Sequence, residues 1–335
     1  MRSHANAARR AGIAMLSAAV LAGCASFSPD GGFGSVAGTV RELSGREAAW
    51  ARTETEREAL EARASALLEK GPLSVDDAVQ VALFNNRGLQ AQLAELGLAE
   101  ADLVQAARLP NPRFTIHRVS DDHHYALERS ISFSILSLVT MPLATEVEKR
   151  RFEGARQRAA MDVLRLAADT RKAWIDAVAA EEAVRYLRRV RLAADAGAEL
   201  AARMAKAGNW SALARAREQG FYADAALAVA RAEQKASSAR ERLTRHLGLW
   251  GPRAASLALP ERLPDLPGEA RERPEIEREA IATRLDVRAA MHDAEATARN
   301  LGLTKVTRLV NVLEFGASRE NEGRDEPYVR GYEIS

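Results

Sequence analysis

Apolar and polar positions follow two different periods along this chain, and the two alternate. From Ala144 to Ala207 there is no proline and the composition is rich in Ala and Arg, so nothing interrupts a helix. Small apolar residues recur at Ala180, Ala183, Leu187, Val190, Ala194, Gly197, Ala201 and Met204. Spacings of three and four are the heptad pattern of one helix packed against another. The pattern resumes at Leu213, Ala216, Gly220, Ala223, Leu227 and Ala230, after a break at Gly208-Asn209. The spacing predicts one antiparallel helical hairpin over 144–247 with its tip near Gly208. Its first arm would measure about 96 Å, its return arm (Ser211–Leu247) about 55 Å, and a further helix over Gly88–Leu109 about 33 Å. The two shorter helices, end to end beside the long one, would complete a layer.

Other segments have period two. Phe114-Thr115-Ile116-His117 and Ile131-Ser132-Phe133-Ser134-Ile135 alternate apolar with polar residues, which predicts strands. Leu313, Phe315 and Ala317 likewise oppose Glu314, Gly316 and Ser318, and Tyr332 and Ile334 oppose Glu333 and Ser335. Strands apolar on one side only suit a water-facing sheet or the wall of a membrane barrel. Four strands cannot close alone, and open edges are not tolerated in lipid, so a barrel would need several chains.

The two kinds of segment also repeat. Asn86-Arg87-Gly88-Leu89-Gln90-Ala91 aligns with Arg284-Leu285-Asp286-Val287-Arg288-Ala289 at an offset of 198, and a helix and strand pair follow each time. By this alignment the second repeat stops at its second strand, and a counterpart of the hairpin would need about 114 more residues. The expectation is a C-terminally incomplete chain, either a fragment or a truncated gene.

The N-terminus reads as an address. Arg2, Arg9 and Arg10 precede a short apolar stretch ending in Leu21-Ala22-Gly23-Cys24. Such a stretch is too short to span a bilayer and reads as a signal peptide. The sequence resembles a bacterial lipobox, which makes Cys24 the lipid-attachment residue, and Ala25 after it implies sorting to the outer membrane. The alternative is an ordinary secretory signal with an incidental cysteine. Ser/Gly-rich residues 24–40 read as a flexible tether, and Gly32–Gly38 as part of it rather than as a nucleotide loop. The rest divides into helices at 41–109, a strand pair at 110–140, the hairpin at 141–250, a proline-rich linker at 251–274, helices at 275–308 and a second strand pair at 309–335.

Composition narrows the function. The 335 residues carry a net charge of +2, and the first 23 hold three arginines and no acid, so the remainder is close to neutral. A near-neutral chain lacks the field of a nucleic-acid binder. One Cys excludes an internal disulfide and a thiolate zinc site. The sequence contains no GxSxG, HExxH or P-loop, and His246 and His292 stand alone in helical contexts. The chain is therefore read as a non-enzyme, with no catalytic residue and no cofactor.

Together these pieces resemble the TolC-like outer-membrane efflux factors. The resemblance spans Leu73–Ser335 and rests on the run Leu73–Leu83 with Asn85-Asn86, the junction Arg108-Leu109-Pro110-Asn111-Pro112, the tip Gly208-Asn209-Trp210-Ser211 and the hairpin end Leu247-Gly248-Leu249-Trp250. Arg284-Leu285-Asp286-Val287-Arg288 looks like the family's Arg-Pro-Asp-Leu opening, with Leu285 in place of Pro. The resemblance implies a mainly α fold of long coiled-coil hairpins, with strand pairs that contribute to an oligomeric outer-membrane β-barrel. It implies a homotrimer, lipid-anchored in the outer membrane with a periplasmic helical tube. Such a channel passively conducts what an inner-membrane pump, of the resistance-nodulation-division type, and a periplasmic adaptor deliver, in efflux or type I-like secretion. Gly208, Asn209, Trp210, Ser211 and Leu213 would meet the adaptor, and the entrance would open by paired helices sliding or untwisting at their tips. Missing a second tip, this chain alone would not make a sealed channel. The rival is a non-conducting structural or adaptor lipoprotein, or an inactive truncated copy. An adaptor should carry symmetric lipoyl-like halves, which the inserted strand pairs do not provide.

Three smaller readings complete the sequence. His117, Asp121, Asp122, His123 and His124 could gather copper or zinc at a strand turn, but a solvated loop is the plainer reading and no metal site is assigned. Glu54, Glu56, Glu58 and Glu61 near Arg52, Arg57 and Arg63 read as a solvated helix face with paired charges rather than a recruiting surface. Arginines facing a lumen would disfavour cations, and which ones do so depends on register.

Overall fold

The computed structural model describes residues 26–120, 125–266, 268, 274–308, 312–322 and 328–334. The signal peptide and Cys24 lie outside them, as do Asp121, Asp122, His123, His124 and part of the linker. Contacts divide the chain into two compact units, one of Met1–Gly34, Glu95–Arg158 and Arg284–Ser335, the other of Ser35–Ala94 and Ala159–Thr283. The elements in order are α1 (Phe33–Ser44), α2 (Glu54–Leu68), α3 (Val75–Asn85), α4 (Arg87–Ala106), β1 (Arg113–Ser120), β2 (Tyr125–Ser134), α5 (Ile135–Lys206) and α6 (Ala212–His246). The short α7 (Pro252–Ala255), then α8 (Ile276–Thr283), α9 (Leu285–Thr307), β3 (Glu314–Glu322) and β4 (Val329–Ile334) follow. The fold is mainly helical with one four-stranded antiparallel sheet, as the two periods predict.

In the second unit, the helix starts follow the capping residues. Thr53 accepts from the Glu56 N–H while the Glu56 carboxylate accepts from the Thr53 N–H, a reciprocal pair that fixes the start of α2. Ser74 caps α3 in the same position, accepting from the Asp77 N–H. Arg57 pairs with Glu54 and Glu61, and Arg63 with Glu47, so this acidic stretch carries the paired charges expected. These helices enclose a core of Leu60, Leu73, Val81, Phe84, Trp174, Val178, Leu243, Leu247 and Leu257. Leu73 is held from both sides of its peptide, since its N–H donates to the Ala258 carbonyl at 2.9 Å and its carbonyl accepts from the Trp174 indole at 2.9 Å. Part of the segment read as a linker is thus packed, with Leu257 buried and Leu259 and Leu263 against the core.

The abutment of two short helices is present. The side-chain amide of Asn85 donates to the carbonyls of Leu247 and Gly248, both at 2.9 Å, at the end of α6. Asn86 donates to the His246 carbonyl at 2.9 Å while its own carbonyl oxygen accepts from the Leu89 N–H at 2.9 Å. Asn86 therefore caps the start of α4 and the end of α6 at once. Gly248, at φ +67, leaves no room for a side chain, because a Cβ there would sit 2.4 Å from the Asn85 carbonyl oxygen.

Three expectations are corrected. Residues 24–40 are not all tether. Val36 and Val40, four residues apart, are buried on α1, and Asp30 accepts from the N–H groups of Gly32 (3.0 Å) and Gly34 (2.7 Å). The buried Glu100 carboxylate also accepts from the Ser28 N–H at 2.7 Å and from its hydroxyl. The long helix begins at Ile135, not at 144. Ser134 accepts from the Ser137 N–H at 3.2 Å, the Leu313 carbonyl takes the Ile135 N–H at 2.8 Å, and Pro142 falls inside the helix. That start also removes Ile135 from β2.

The third correction concerns the packed seam. On α5 it holds apart from one substitution, with Ala180, Ala194 and Ala201 buried but Val184 buried in place of the exposed Ala183. On α6 the seam is a different stripe. Leu213, Ala216, Gly220, Ala223, Leu227 and Ala230 are all exposed, and the inward face runs through Ala214, Glu218, Tyr222, Ala225, Val229, Ala232, Ala236, Ala239 and Leu243. Glu218 faces Gly197, whose missing side chain leaves the carboxylate 3.5 Å from the Cβ position.

In the first unit, α5 and α9 lie antiparallel through ion pairs, Arg150–Glu295 at 3.2 Å, Arg158–Asp293 at 2.9 Å and Arg299–Glu146 at 3.6 Å. Gly154 sits at the contact, where a Cβ would come within 3.1 Å of an Asp293 carboxylate oxygen. Opposite charges on exposed helix faces add little each, so these pairs set register more than stability. At the start of α9, the Arg284 guanidinium grips both Asp286 oxygens, at 3.0 and 2.6 Å, and holds that carboxyl down at about 2.

Two outcomes follow. Asn85→Ala leaves one buried and one part-buried carbonyl without this partner and should cost about 1–3 kcal/mol, seen as a lower urea midpoint by far-ultraviolet circular dichroism. Asp286 is a depressed carboxylate, so the stabilisation it contributes is complete above its ordinary 3.8 and is lost as pH falls through about 2. Carbon NMR of the Asp286 carboxyl should show that midpoint, and Arg284→Gln should return it towards the ordinary value.

Candidate functional site

Two places carry the features expected of function, one in each unit. The hairpin tip belongs to the second. Helix α5 stops at Lys206 because Gly208 takes the left-handed conformation, φ +82. The Gly208 N–H donates to the Ala205 carbonyl at 3.1 Å and the Asn209 N–H to the Met204 carbonyl at 3.0 Å, the paired bonds of a Schellman ending. Three residues later Ser211 caps α6, its hydroxyl accepting from the Ala214 N–H at 3.1 Å. The turn is thus short and fully bonded at both ends. Gly208, Asn209 and Ser211 are exposed, Trp210 is half-buried, and Leu213 is 63% exposed one residue into the helix. The five tip residues singled out in the sequence are therefore adjacent in space, with Leu213 presenting the larger free apolar surface.

The sheet belongs to the first unit. Its order is β1-β2-β3-β4, so the strand pair of one repeat lies beside that of the other through β2 and β3. Among the described residues, β1 and β4 each have one unpaired edge. The register aligns Phe114, Ile131, Ala317 and Tyr332 in one row across all four strands, and Phe133, Phe315 and Ile334 in the next. Phe315 bridges Phe133 and Tyr332, with ring centroids 5.7 and 6.4 Å apart. These residues are exposed, Tyr332 to 76%, or partly so, and they share one face.

The same register sorts the charges. The apolar face carries Arg118, Arg129, Arg319 and Arg330 and, among the described side chains, no acid. The opposite face carries Glu128, Glu314, Glu320 and Glu333 between Thr115, Ser130, Ser132, Gly316 and Ser318, with Arg113 as its one arginine among the described side chains. Apolar alternation is visible in the sequence, but this segregation of charge needs the pairing between strands.

His117 lies on the acidic face opposite Glu128. The other four residues considered as ligands with it, Asp121, Asp122, His123 and His124, fall outside the described residues. No group of three metal-ligating side chains forms among the described residues. No described helix is long and apolar enough to cross a membrane.

No protein-family model matches the chain, and no characterised protein sequence does. Solved structures do. CusC, which undergoes conformational changes accompanying folding and transmembrane channel formation, superposes over 78% of this chain with a TM-score of 0.59 at 14% identity. A membrane protein from Pseudomonas aeruginosa gives 0.62 at 16% identity, and the Campylobacter jejuni outer membrane channel CmeC gives 0.60 at 14%, each again over 78% of the chain. The matched regions are 65%, 66% and 61% of those three chains, so this chain spans about two thirds of their length. The fold is TolC-like.

At the tip, Gly208→Ala should cost about 1 kcal/mol because the left-handed backbone resists a Cβ even in open space. A urea titration of the variant followed by circular dichroism checks this, and an unchanged midpoint would show that the turn relaxes freely.

Proposed function

We propose that this chain is a subunit of an outer-membrane channel in an efflux or type I-like secretion system. It acts as a passive conduit, and an inner-membrane pump of the resistance-nodulation-division type delivers substrate through a periplasmic adaptor. The observation that carries the reading is the two-faced sheet with both edges open, in a chain whose fold is that of outer-membrane channels. In lipid every backbone N–H and C=O must be paired, so open edges require β1 of one copy to meet β4 of the next. Three copies would close a barrel of about twelve strands, within the range of known barrels. The apolar face then meets lipid and the acidic face lines water.

The lining predicts ion preference. Arginines at the lumen would disfavour cations, but here the described wall carries four glutamates against one arginine, so cations are favoured. Conduction needs no chemistry on substrate, because the lining supplies only charge and width. At the hairpin tip, Trp210 and Leu213 offer an apolar contact to adaptor hairpins, flanked by exposed Gly208, Asn209 and Ser211. Because five residues join the arms, sliding or untwisting the helices would move the tip as a unit. Lipid on Cys24 would hold the assembly in the outer membrane.

The full-length protein in planar bilayers should give single-channel steps with a reversal potential of cation preference, and should run as a heat-modifiable oligomer. A soluble monomer without conductance would sink the channel reading. Trp210→Ala with Leu213→Ser should abolish adaptor co-purification while leaving conductance intact, which separates partner contact from pore formation.

A further inference from the structure

The arginines on the apolar face of the sheet have no place in a pore. Arg129 lies directly opposite Arg319, and Arg319 directly opposite Arg330, so three guanidinium-bearing residues form one row across β2, β3 and β4. Like charges in directly paired positions repel. Among the described side chains no carboxylate on this face relieves them, because the described strand glutamates point to the other side. All three are exposed. Arg319 stacks over the Tyr328 ring at 3.4 Å, while Arg129 and Arg330 make no hydrogen bond or ion pair among the described residues. Arg118, on the same face, already has a partner.

Their height on the sheet is informative. Between this row and the start of α5 lie the two aromatic and aliphatic rows of Phe114, Ile131, Tyr332, Phe133, Phe315 and Ile334. Beyond them Leu138 and Val139, four and five residues into α5, are also apolar and exposed. Six strand residues cover about 20 Å along the strand, or about 15 Å of height at a barrel tilt. A turn of helix adds about 5 Å. The sum approaches the roughly 25 Å apolar band of an outer-membrane barrel. An arginine on a lipid-facing wall is strongly unfavourable at mid-membrane and nearly neutral at the interface. The row therefore marks the edge of the apolar band, at the level of headgroups.

We propose that Arg129, Arg319 and Arg330 form a lipid-binding belt that grips the phosphate groups of anionic membrane lipids at the end of the sheet away from the helices. A guanidinium fork matches phosphate oxygens in pairs. One phosphate between two facing arginines turns a repulsive row into an attractive one. The proposal rests on the sheet being a barrel wall, and in a closed oligomer the belt would run around the outside of the pore.

The test uses the full chain, reconstituted in vesicles of phosphatidylcholine alone or with phosphatidylglycerol, and reads flotation and the temperature at which the oligomer dissociates. Phosphatidylglycerol should raise that temperature for the wild type. The Arg129→Gln, Arg319→Gln, Arg330→Gln triple variant should lose the increment, whereas Arg189→Gln, Arg191→Gln, Arg231→Gln, with the same change in charge on exposed helix positions, should keep it. Arg330→Gln alone, on the edge strand, should lose part of it, and an unchanged increment there overturns the belt even if the triple variant fails to assemble. The belt is equally overturned if the triple variant keeps the increment, or if inorganic phosphate at matched concentration reproduces it in detergent. If the wild type floats with neither vesicle, the barrel reading itself fails and the belt falls with it.

Discussion

Helix α6 ends against the last residue of α3, where its final carbonyls are buried or part-buried and need side-chain partners. Two consecutive asparagines provide them. Asn85 closes the carbonyls of Leu247 and Gly248, and Asn86 takes that of His246 while capping α4 with its other atom. The approach is close enough that position 248 must be glycine. With this joint fixed, α3 is held against the hairpin, the Trp174 indole reaches the Leu73 carbonyl, and the core of the second unit closes around both. A hairpin without the joint would keep its seam but lose the element that carries α4 onward to the strands.

Much of this architecture is legible in the sequence, and the failures have identifiable causes. Alternation located all four strands, and the Gly208-Asn209 break located the turn, because each is a local rule with one solution. The stripe on α6 is different. Two candidate faces exist there, one through Leu213, Gly220 and Leu227 and one through Glu218, Tyr222 and Val229. Hydropathy favours the first, but the chain buries the second. The rotation of α6 is set by the Schellman ending at Gly208 and the cap at Ser211, four residues of backbone geometry that outweigh the polarity of Glu218. Gly197 opposite then makes room for that carboxylate. The N-terminal segment misled for the opposite reason. Its glycines and serines suggest a tether, yet two valines four apart and a single Asp30 suffice to fold a helix there.

The charges of the sheet show what no single strand can reveal. Along β2 alone, Glu128 and Arg129 are neighbours and look like a neutral pair. Because side chains alternate, they lie on opposite faces. Pairing with β3 puts Glu128 beside Glu320 and Arg129 beside Arg319, so the same neutral sequence yields one acidic face and one basic row. A one-residue slip of either strand would exchange the faces of all its side chains, placing acids among the apolar rows. The sorted charges thus penalise misregister on both sides of the sheet.

The unpaired edges of β1 and β4 have a consequence for the life of the newly made chain. A row of free N–H and C=O groups binds any compatible strand it meets, including the same edge of the wrong copy or an unrelated protein. In the proposed oligomer, the final step of maturation depends on how many copies are present together, so it slows steeply as synthesis falls. Until that step occurs the chain is a target for proteases and a seed for aggregates. On that proposal, cells making this protein would have to shield the edges after synthesis or deliver copies in bursts, and a dilute supply would be wasted rather than merely delayed.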